Sequence, residues 1–289
     1  MKKIFKIFTI TLTAILLVAV SLINSFALTY FKIDGFTFYL TDDSFAVVSG
    51  YDNSSLDVEF PESLSTSYLI KIDDYAFLNN TEITSINFDE SKYLANIGVH
   101  AFAGCTGLKS VSLPFSLDEI GFGVFQGCTS LEEVTFNNGI TKIPVQAFYN
   151  CSSLDNVVIP QSVSTIENFA FANCTSLTSI TIPKTTYSIS SNAFLGCQNI
   201  TIECYTDSYA HKYAVDNNIP FILLDAPKYE IGDVDLSGRV DVKDATLIQS
   251  YIASLTTLTD EQLAVADVNG DSTINVLDAT AVQRSIVGI

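Results

Sequence analysis

Cys105, Cys128, Cys151, Cys174 and Cys197 recur with a 23-residue period, and that spacing constrains the fold more than any other feature of the chain. A fixed period of this size marks a chain built by stacking copies of one supersecondary unit. Units opening at Ile72, Ile97, Ile120, Ile143, Ile166 and Ile189 make one 25-residue step and then keep the 23-residue one. Five positions into each unit comes Phe77, Phe102, Phe125, Phe148, Phe171 or Phe194, preceded by Ala76, Ala101, Val124, Ala147, Ala170 or Ala193. At offset eleven stand Ile83, Leu108, Leu131, Leu154, Leu177 and Ile200, and offsets fourteen and sixteen carry pairs such as Val111/Leu113 and Ile180/Ile182. One unit cannot bury these side chains alone, whereas stacked units share a continuous core.

Offsets eleven to sixteen alternate like a short strand, closed by Pro114, Pro160 or Pro183 in three units. Stacked strands lie ~4.8 Å apart, so equivalent side chains form ladders. Offset eight is therefore a buried ladder of five thiols, with Asn80 taking that place in the first unit. Cysteines in a secreted chain usually pair, and rungs about 5 Å apart at Cα fall within disulfide range. Ladder side chains point in parallel, however, and free cysteine is a good small core residue, so unpaired thiols are expected. Residues 28–61 alternate like strands without the 23-residue register, as an N-terminal cap would. After Cys204, residues 208–214 suit a short helix and 219–224 a closing strand. The pattern I-x-x-x-A-F-x-x-C-x-x-L-x-x-I-x-I-P of residues 166–183 resembles the BspA-like leucine-rich repeats of bacterial surface and secreted proteins. The resemblance covers residues 28–224 and implies a solenoid whose ending, Ser-Tyr-Ala to Ile-Pro-Phe, is similar to the cap of many such arrays.

The chain opens like a secretory signal: Lys2, Lys3 and Lys6, an apolar run over 7–23, then small residues Ser25 and Ala27 at −3 and −1. Thr9, Thr11, Thr13 and Ser21 interrupt that run, which is short for a bilayer span of roughly 20 residues. Cleavage after Ala27 is expected, giving a secreted chain with no membrane span. Losing the three signal lysines takes the net charge from −18 to −21. So acidic a chain repels nucleic acid and anionic membranes.

The repeats show no catalytic constellation. His100 occupies a variable offset and His211 lies in the C-terminal cap, so both read as surface residues. The acidic pairs Asp89/Glu90 and Glu132/Glu133 have no equivalents in neighbouring units and read as solvated surface. The outward strand positions are Ser85, Ser110, Glu133, Asn156 and Ser179, beside Asn87, Ser112, Thr135, Val158 and Thr181. That strip lacks the aromatic platforms usual for sugar stacking; it suits a protein partner of unknown identity, or a plain spacer.

After a polar link over 225–231, the C-terminal segment 232–289 holds two copies of one motif at a 34-residue offset. Oxygen-bearing side chains stand at loop positions 1, 3, 5, 9 and 12: Asp233, Asp235, Ser237, Asp241 and Asp244, then Asp267, Asn269, Asp271, Asn275 and Asp278. This is the EF-hand spacing, which converges six to eight oxygens on a hard Ca²⁺ ion. Position 7, Arg239 or Thr273, contributes its backbone carbonyl. Asp replaces Glu at position 12, Ser272 replaces the turn glycine of the second loop, and no entering helix is legible before Asp233. A helix leaves each loop, and Thr259 with Gln262 opens a short helix between them through a capping box. Two loop–helix repeats of this kind over 232–289 resemble the type I dockerin.

That resemblance implies two Ca²⁺ ions and docking to a cohesin module of a scaffoldin, within a cellulosome-type complex that degrades plant polysaccharides. By family pattern the contacts are Val242, Lys243, Gln249 and Ser250 in the first copy, and Val276, Leu277, Gln283 and Arg284 in the second. The fold class expected overall is a leucine-rich repeat solenoid followed by a small all-α calcium-binding module. The expected role is that of a secreted, non-catalytic component held at the cell surface through a scaffoldin. The alternatives are a surface adhesin or a regulator of a neighbouring enzyme.

Overall fold

The computed structural model describes residues 30–52, 55–64, 67–225 and 229–288, so the expected signal segment lies outside the described residues. The chain divides between Leu224 and Asp225 into two compact units.

In the first unit the alternating stretch of each repeat forms a short strand. Ser85–Asn87, Ser110–Ser112, Glu133–Thr135, Asn156–Val158 and Ser179–Thr181 pair in parallel as the middle of an eight-stranded sheet. The register is that of stacked equivalents: Ser110 lies opposite Glu133, and Asn156 opposite Ser179. Each central residue (Val111, Val134, Val157, Ile180) is buried, while its neighbours face outward. The C-terminal end of this sheet is Thr201–Cys204 and then Phe221–Leu223, and the N-terminal end is Asp57–Glu59.

Two features are not legible in the sequence. Asp57–Glu59, inside the segment expected to be only a cap, pairs with Ser85–Asn87 at a 28-residue step and forms the first rung of the main sheet. Phe60 then stacks on Phe88 with ring centroids 4.8 Å apart. The unit-opening isoleucines also sit in very short strands of their own, such as Glu119–Ile120 and Thr165–Ile166. These make a second series of parallel rungs on another side of the coil.

The phenylalanines at offset five stack into a column, with centroid spacings of 5.5 Å from Phe102 to Phe125 and 5.3 Å from Phe148 to Phe171. These four rings are fully buried, and removing one of them costs about 3–5 kcal/mol. The column ends at Phe194 against the edge of Tyr213, 6.0 Å away. Tyr213 belongs to helix α1, Tyr209–Asp216, whose N-cap Ser208 accepts from the His211 N–H at 3.1 Å. The C-terminal cap is thus a helix and a strand. At the other end, strands Phe31–Ile33, Phe36–Leu40 and Ala46–Tyr51 form an antiparallel meander that brings Phe36 to 5.1 Å from Phe60.

The cysteine ladder is buried from Cys105 to Cys174 and half-buried at Cys197, and its five cysteines are free thiols. The ladder thiols have partners that the sequence does not reveal. Cys128 Sγ donates to the Phe102 carbonyl and Cys151 Sγ to that of Phe125, both at 3.2 Å. Burial pushes the Cys151 thiol up to about 12. In the first unit Asn80 fills this place differently, its Oδ1 accepting from the Glu82 and Ile83 N–H groups.

The second unit is small. Helices α2 (Val242–Ile252), α3 (Asp260–Ala266) and α4 (Val276–Val287) enclose seven buried apolar residues, Val234, Ala245, Ile248, Val265, Ala266, Ala279 and Val282. Among the described residues of this unit no helix precedes Asp233. Helix α3 opens on the expected capping box, and Gln262 Nε2 also donates to the Val234 carbonyl at 2.9 Å, tying the helix to the first loop.

Two oxygen-rich loops and the helices they cap

Residues 233–244 and 267–278 follow the same backbone path. Positions 4 and 6 adopt the left-handed region in both: Leu236 (φ 57°) and Gly238 (φ 87°), then Gly270 (φ 72°) and Ser272 (φ 65°). Only glycine reaches this region without penalty. Each loop therefore has one glycine for two such positions, at position 6 in the first and position 4 in the second. Ser272 thus adopts the conformation a turn glycine would.

Position 1 organises each loop. The Asp233 carboxylate accepts from the N–H groups of Ser237 (2.9 Å) and Gly238 (2.8 Å), and Asp267 accepts from those of Asp271 (3.1 Å) and Ser272 (2.8 Å). Position 12 closes each loop. Asp244 accepts from the N–H of Asp235 (2.8 Å) and of Asp241 (2.7 Å), and Asp278 from those of Asn269 (3.1 Å) and Asn275 (2.8 Å).

The loop ends are also helix caps. Asp241 and Asn275 at position 9 are the N-caps of α2 and α4, and Asp244 and Asp278 at position 12 are the N3 partners of their capping boxes. A carboxylate at N3 also favours the positive end of the helix dipole. The loop pattern and the helix start signal are therefore carried by the same residues. An aspartate at position 12 reaches both the cap N–H and the position 3 N–H.

In the first loop, carboxylate oxygens of Asp233, Asp235 and Asp244 lie within 4.8 Å of one another, with Asp233 and Asp244 fully buried. Three like charges so close call for a cation. Asp241 sits at the loop edge, bonded to the Lys243 N–H at 2.7 Å. The second loop has Asn269 and Asn275 where the first has aspartates, and so offers carboxamide oxygens. The Ser237 hydroxyl donates to the Arg239 carbonyl at 3.3 Å, and Asn275 Nδ2 to the Thr273 carbonyl at 3.1 Å, which draws positions 5, 7 and 9 together. The Ser237 hydroxyl beside Asp235 holds that carboxyl below the usual range, and the Thr273 hydroxyl does the same for Asp271. The donor set is all oxygen, which fits a hard divalent cation and not zinc.

The residues singled out as partner contacts lie on the opposite side from the core. Val242, Lys243 and Gln249 on α2 are exposed, and Ser250 is half-buried. Val242, Lys243 and Ser250, with Asp235, Thr246 and Leu247, border a shallow groove of about 290 Å³. On α4, Val276, Leu277, Gln283 and Arg284 are all exposed.

His100 and His211 are less free than surface residues. His100 is half-buried between Tyr75 and Phe122, and His211 Nδ1 accepts from the Asp207 N–H at 3.3 Å. Among the described residues no helix is long and apolar enough to cross a membrane.

Comparison with known families matches residues 70–201 to the BspA type leucine-rich repeat region in six copies, and residues 231–287 to the dockerin type I domain. Both are module types that carry no catalytic machinery of their own. No curated protein matches the chain. Among solved structures, the T. pallidum leucine-rich repeat protein is 23% identical with a TM-score of 0.57, covering 68% of this chain and 100% of its own. A leucine-rich repeat protein from Eubacterium ventriosum is 20% identical with a TM-score of 0.49, covering 60% of this chain and 51% of its own. The likeness to the first establishes the fold of the repeats alone. Residues 70–201 are thus a BspA type leucine-rich repeat region, followed over residues 231–287 by a dockerin type I domain.

Proposed function

We propose that this protein is a secreted, non-catalytic component of a cellulosome-type complex. Its mature chain begins at Leu28, with a repeat domain over 28–224, a linker over 225–231 and a dockerin over 232–289 that binds a scaffoldin cohesin. The observation that carries the reading is the duplicated loop whose last ligand caps the following helix, in a segment that matches the type I dockerin. Each loop takes one Ca²⁺. The first is held by the side chains of Asp233, Asp235, Ser237, Asp241 and Asp244 with the Arg239 carbonyl. The second is held by Asp267, Asn269, Asp271, Asn275 and Asp278 with the Thr273 carbonyl. When bound, the ions neutralise the loop carboxylates and fix α2 and α4. The residues Val242, Lys243, Gln249 and Ser250, or Val276, Leu277, Gln283 and Arg284, then meet the cohesin.

A leucine-rich repeat region implies binding of a protein, and the outward strip from Ser85 to Thr181 is the surface it offers. The adhesin and regulator readings differ only in what that strip holds. The test of docking is titration of the full chain with a panel of type I cohesins, in calcium and in excess chelator. Saturable binding in calcium that chelator abolishes supports the proposal. Absence of binding to every cohesin overturns it.

A further inference from the structure

On the turn side of the repeats a row of side chains takes no part in the core, the outward strip or the calcium loops. Offsets three and seven of most units are in the left-handed region, and what occupies them sets the surface relief. In the first three units offset three carries Tyr75, His100 and Gly123, and offset seven carries Asn79, Gly104 and Gly127. The Tyr75 and His100 rings stack at 5.7 Å and 23° and stand as one wall, and Phe122 meets the imidazole edge-on at 4.8 Å. Beside that wall lies a pocket of about 350 Å³, bordered also by Asn79, Gly104, Gln126 and Gly127.

The glycines are there for room. A Cβ at Gly123 would collide with His100 Cε1, and one at Gly104 with Asn79 Oδ1. The imidazole and the Asn79 amide thus occupy the spaces that side chains at the next unit would fill. In the later units the groove is occupied instead, where Asn173 Nδ2 bonds the Tyr149 hydroxyl at 3.2 Å.

We propose that this pocket binds a neutral pyranose residue of a glycan. None of its bordering residues carries a formal charge, in a chain whose net charge is −18. An anion would need guanidinium or ammonium groups and a metal would need carboxylates. Rings and carboxamides offer what an uncharged sugar uses: an aromatic face for its C–H side, whose electron-rich surface attracts those hydrogens, and amides that both donate and accept for its hydroxyls. Two of these groups, His100 Nδ1 and Gln126 Oε1, are buried without a hydrogen-bond partner, and both border the space above Gly123. Buried polar atoms nearly always have a partner, so two unsatisfied ones side by side call for an explanation, and a bound hydroxyl supplies one. Rotating the Gln126 amide outward brings its donors and acceptor to a sugar hydroxyl at the pocket mouth.

The chain has two histidines, so the imidazole Cε1–H signals of the full chain in calcium give a two-line NMR spectrum in which His211 is the internal control. Cellobiose, xylobiose and galactose are the neutral probes, with glucuronate and inorganic phosphate as charged ones. The expected result is a saturable shift of the His100 line by at least one neutral sugar, with His211 unmoved. Tyr75→Ala and Gln126→Ala should each weaken it at least tenfold, while Tyr187→Ala on another exposed surface leaves it unchanged. An unshifted His100 line with every neutral sugar, an equal response to glucuronate or phosphate, or full binding in both Tyr75→Ala and Gln126→Ala would overturn the proposal.

Discussion

Asp244 holds the backbone N–H of Asp241 at 2.7 Å through one carboxylate oxygen and that of Asp235 at 2.8 Å through the other. A single buried side chain therefore closes the first loop and starts the helix that leaves it. Asp244→Ala leaves two N–H groups unpaired, each worth about 1–2 kcal/mol, and should lower dockerin stability in calcium by about 2–4 kcal/mol. Asp244→Asn keeps one acceptor and the side-chain shape, so it should cost less in stability while still weakening calcium binding. Thermal unfolding and calcium titration of the two variants separate these effects. Equal stability loss in both would contradict the dual role.

Calcium removal should unfold the dockerin and spare the repeats. Four aspartates of the first loop and three of the second repel one another without a cation, and seven buried apolar residues give little to oppose them. Metal binding then supplies folding energy. Circular dichroism with excess chelator should lose most helical signal, because α2 to α4 hold most of the helix, while the strand signal persists. Helix retained without metal would sink this expectation.

Native thiol labelling should be slow and ordered. Cys197 should react first: it is half-buried, and the neighbouring Cys174 thiol, by hydrogen-bonding to it, lowers its pKa. Cys105, Cys128, Cys151 and Cys174 are buried, and burial raises the thiols of Cys128 and Cys151 besides. After denaturation six groups should react; fewer than four would mean disulfides.

The same ladder sets an alkaline limit. Burial raises Cys151 from 9.0 to about 12 and raises Cys128 as well. A thiol whose folded pKa is raised contributes fully below its unfolded pKa, and that contribution is lost as pH climbs toward the folded value. Repeat-domain stability should therefore fall between about pH 9 and pH 12, by up to ~4 kcal/mol for Cys151 alone. Cys151→Ala should flatten the slope in urea unfolding at graded pH. An unchanged slope would locate the alkaline loss elsewhere.

The 23-residue period is enough to read the main ladder, because its core-facing offsets are filled in nearly every unit by one residue class. The rung at Asp57–Glu59 escapes that reading. Its 28-residue step breaks the period and it carries no Phe–Cys pair, so only the sheet register reveals it. The short rungs at the unit-opening isoleucines escape because one apolar residue beside one polar residue has no period of its own. In the dockerin the ligand spacing is legible and the capping boxes at positions 9 and 12 are not, since the same residues satisfy both patterns. The pocket beside His100 is hidden because it depends on which offsets carry glycine, a signal that looks like ordinary variation along a single sequence.

The two halves of the dockerin should offer related but unequal docking faces. At a 34-residue offset Val242 matches Val276, Ala245 matches Ala279, and Gln249 matches Gln283. The inner members are buried alike, and the outer ones are exposed alike on the surfaces of α2 and α4. A half-turn of the module therefore presents a similar surface. The same comparison sets Lys243 against Leu277 and Ser250 against Arg284, so a positive charge sits at the start of one face and near the end of the other. A cohesin that selects by charge should prefer one orientation, since rim charges govern steering and register more than raw affinity. Lys243→Asp and Leu277→Asp should therefore weaken binding by different amounts, the larger loss being about 1–2 kcal/mol or roughly 5- to 30-fold. The double variant should lose more than either single one, because it removes the preferred face and its substitute together. Isothermal titration against a type I cohesin in calcium measures all three. Equal single losses would mean that both orientations are used alike, and three unchanged affinities would place the interface on another surface.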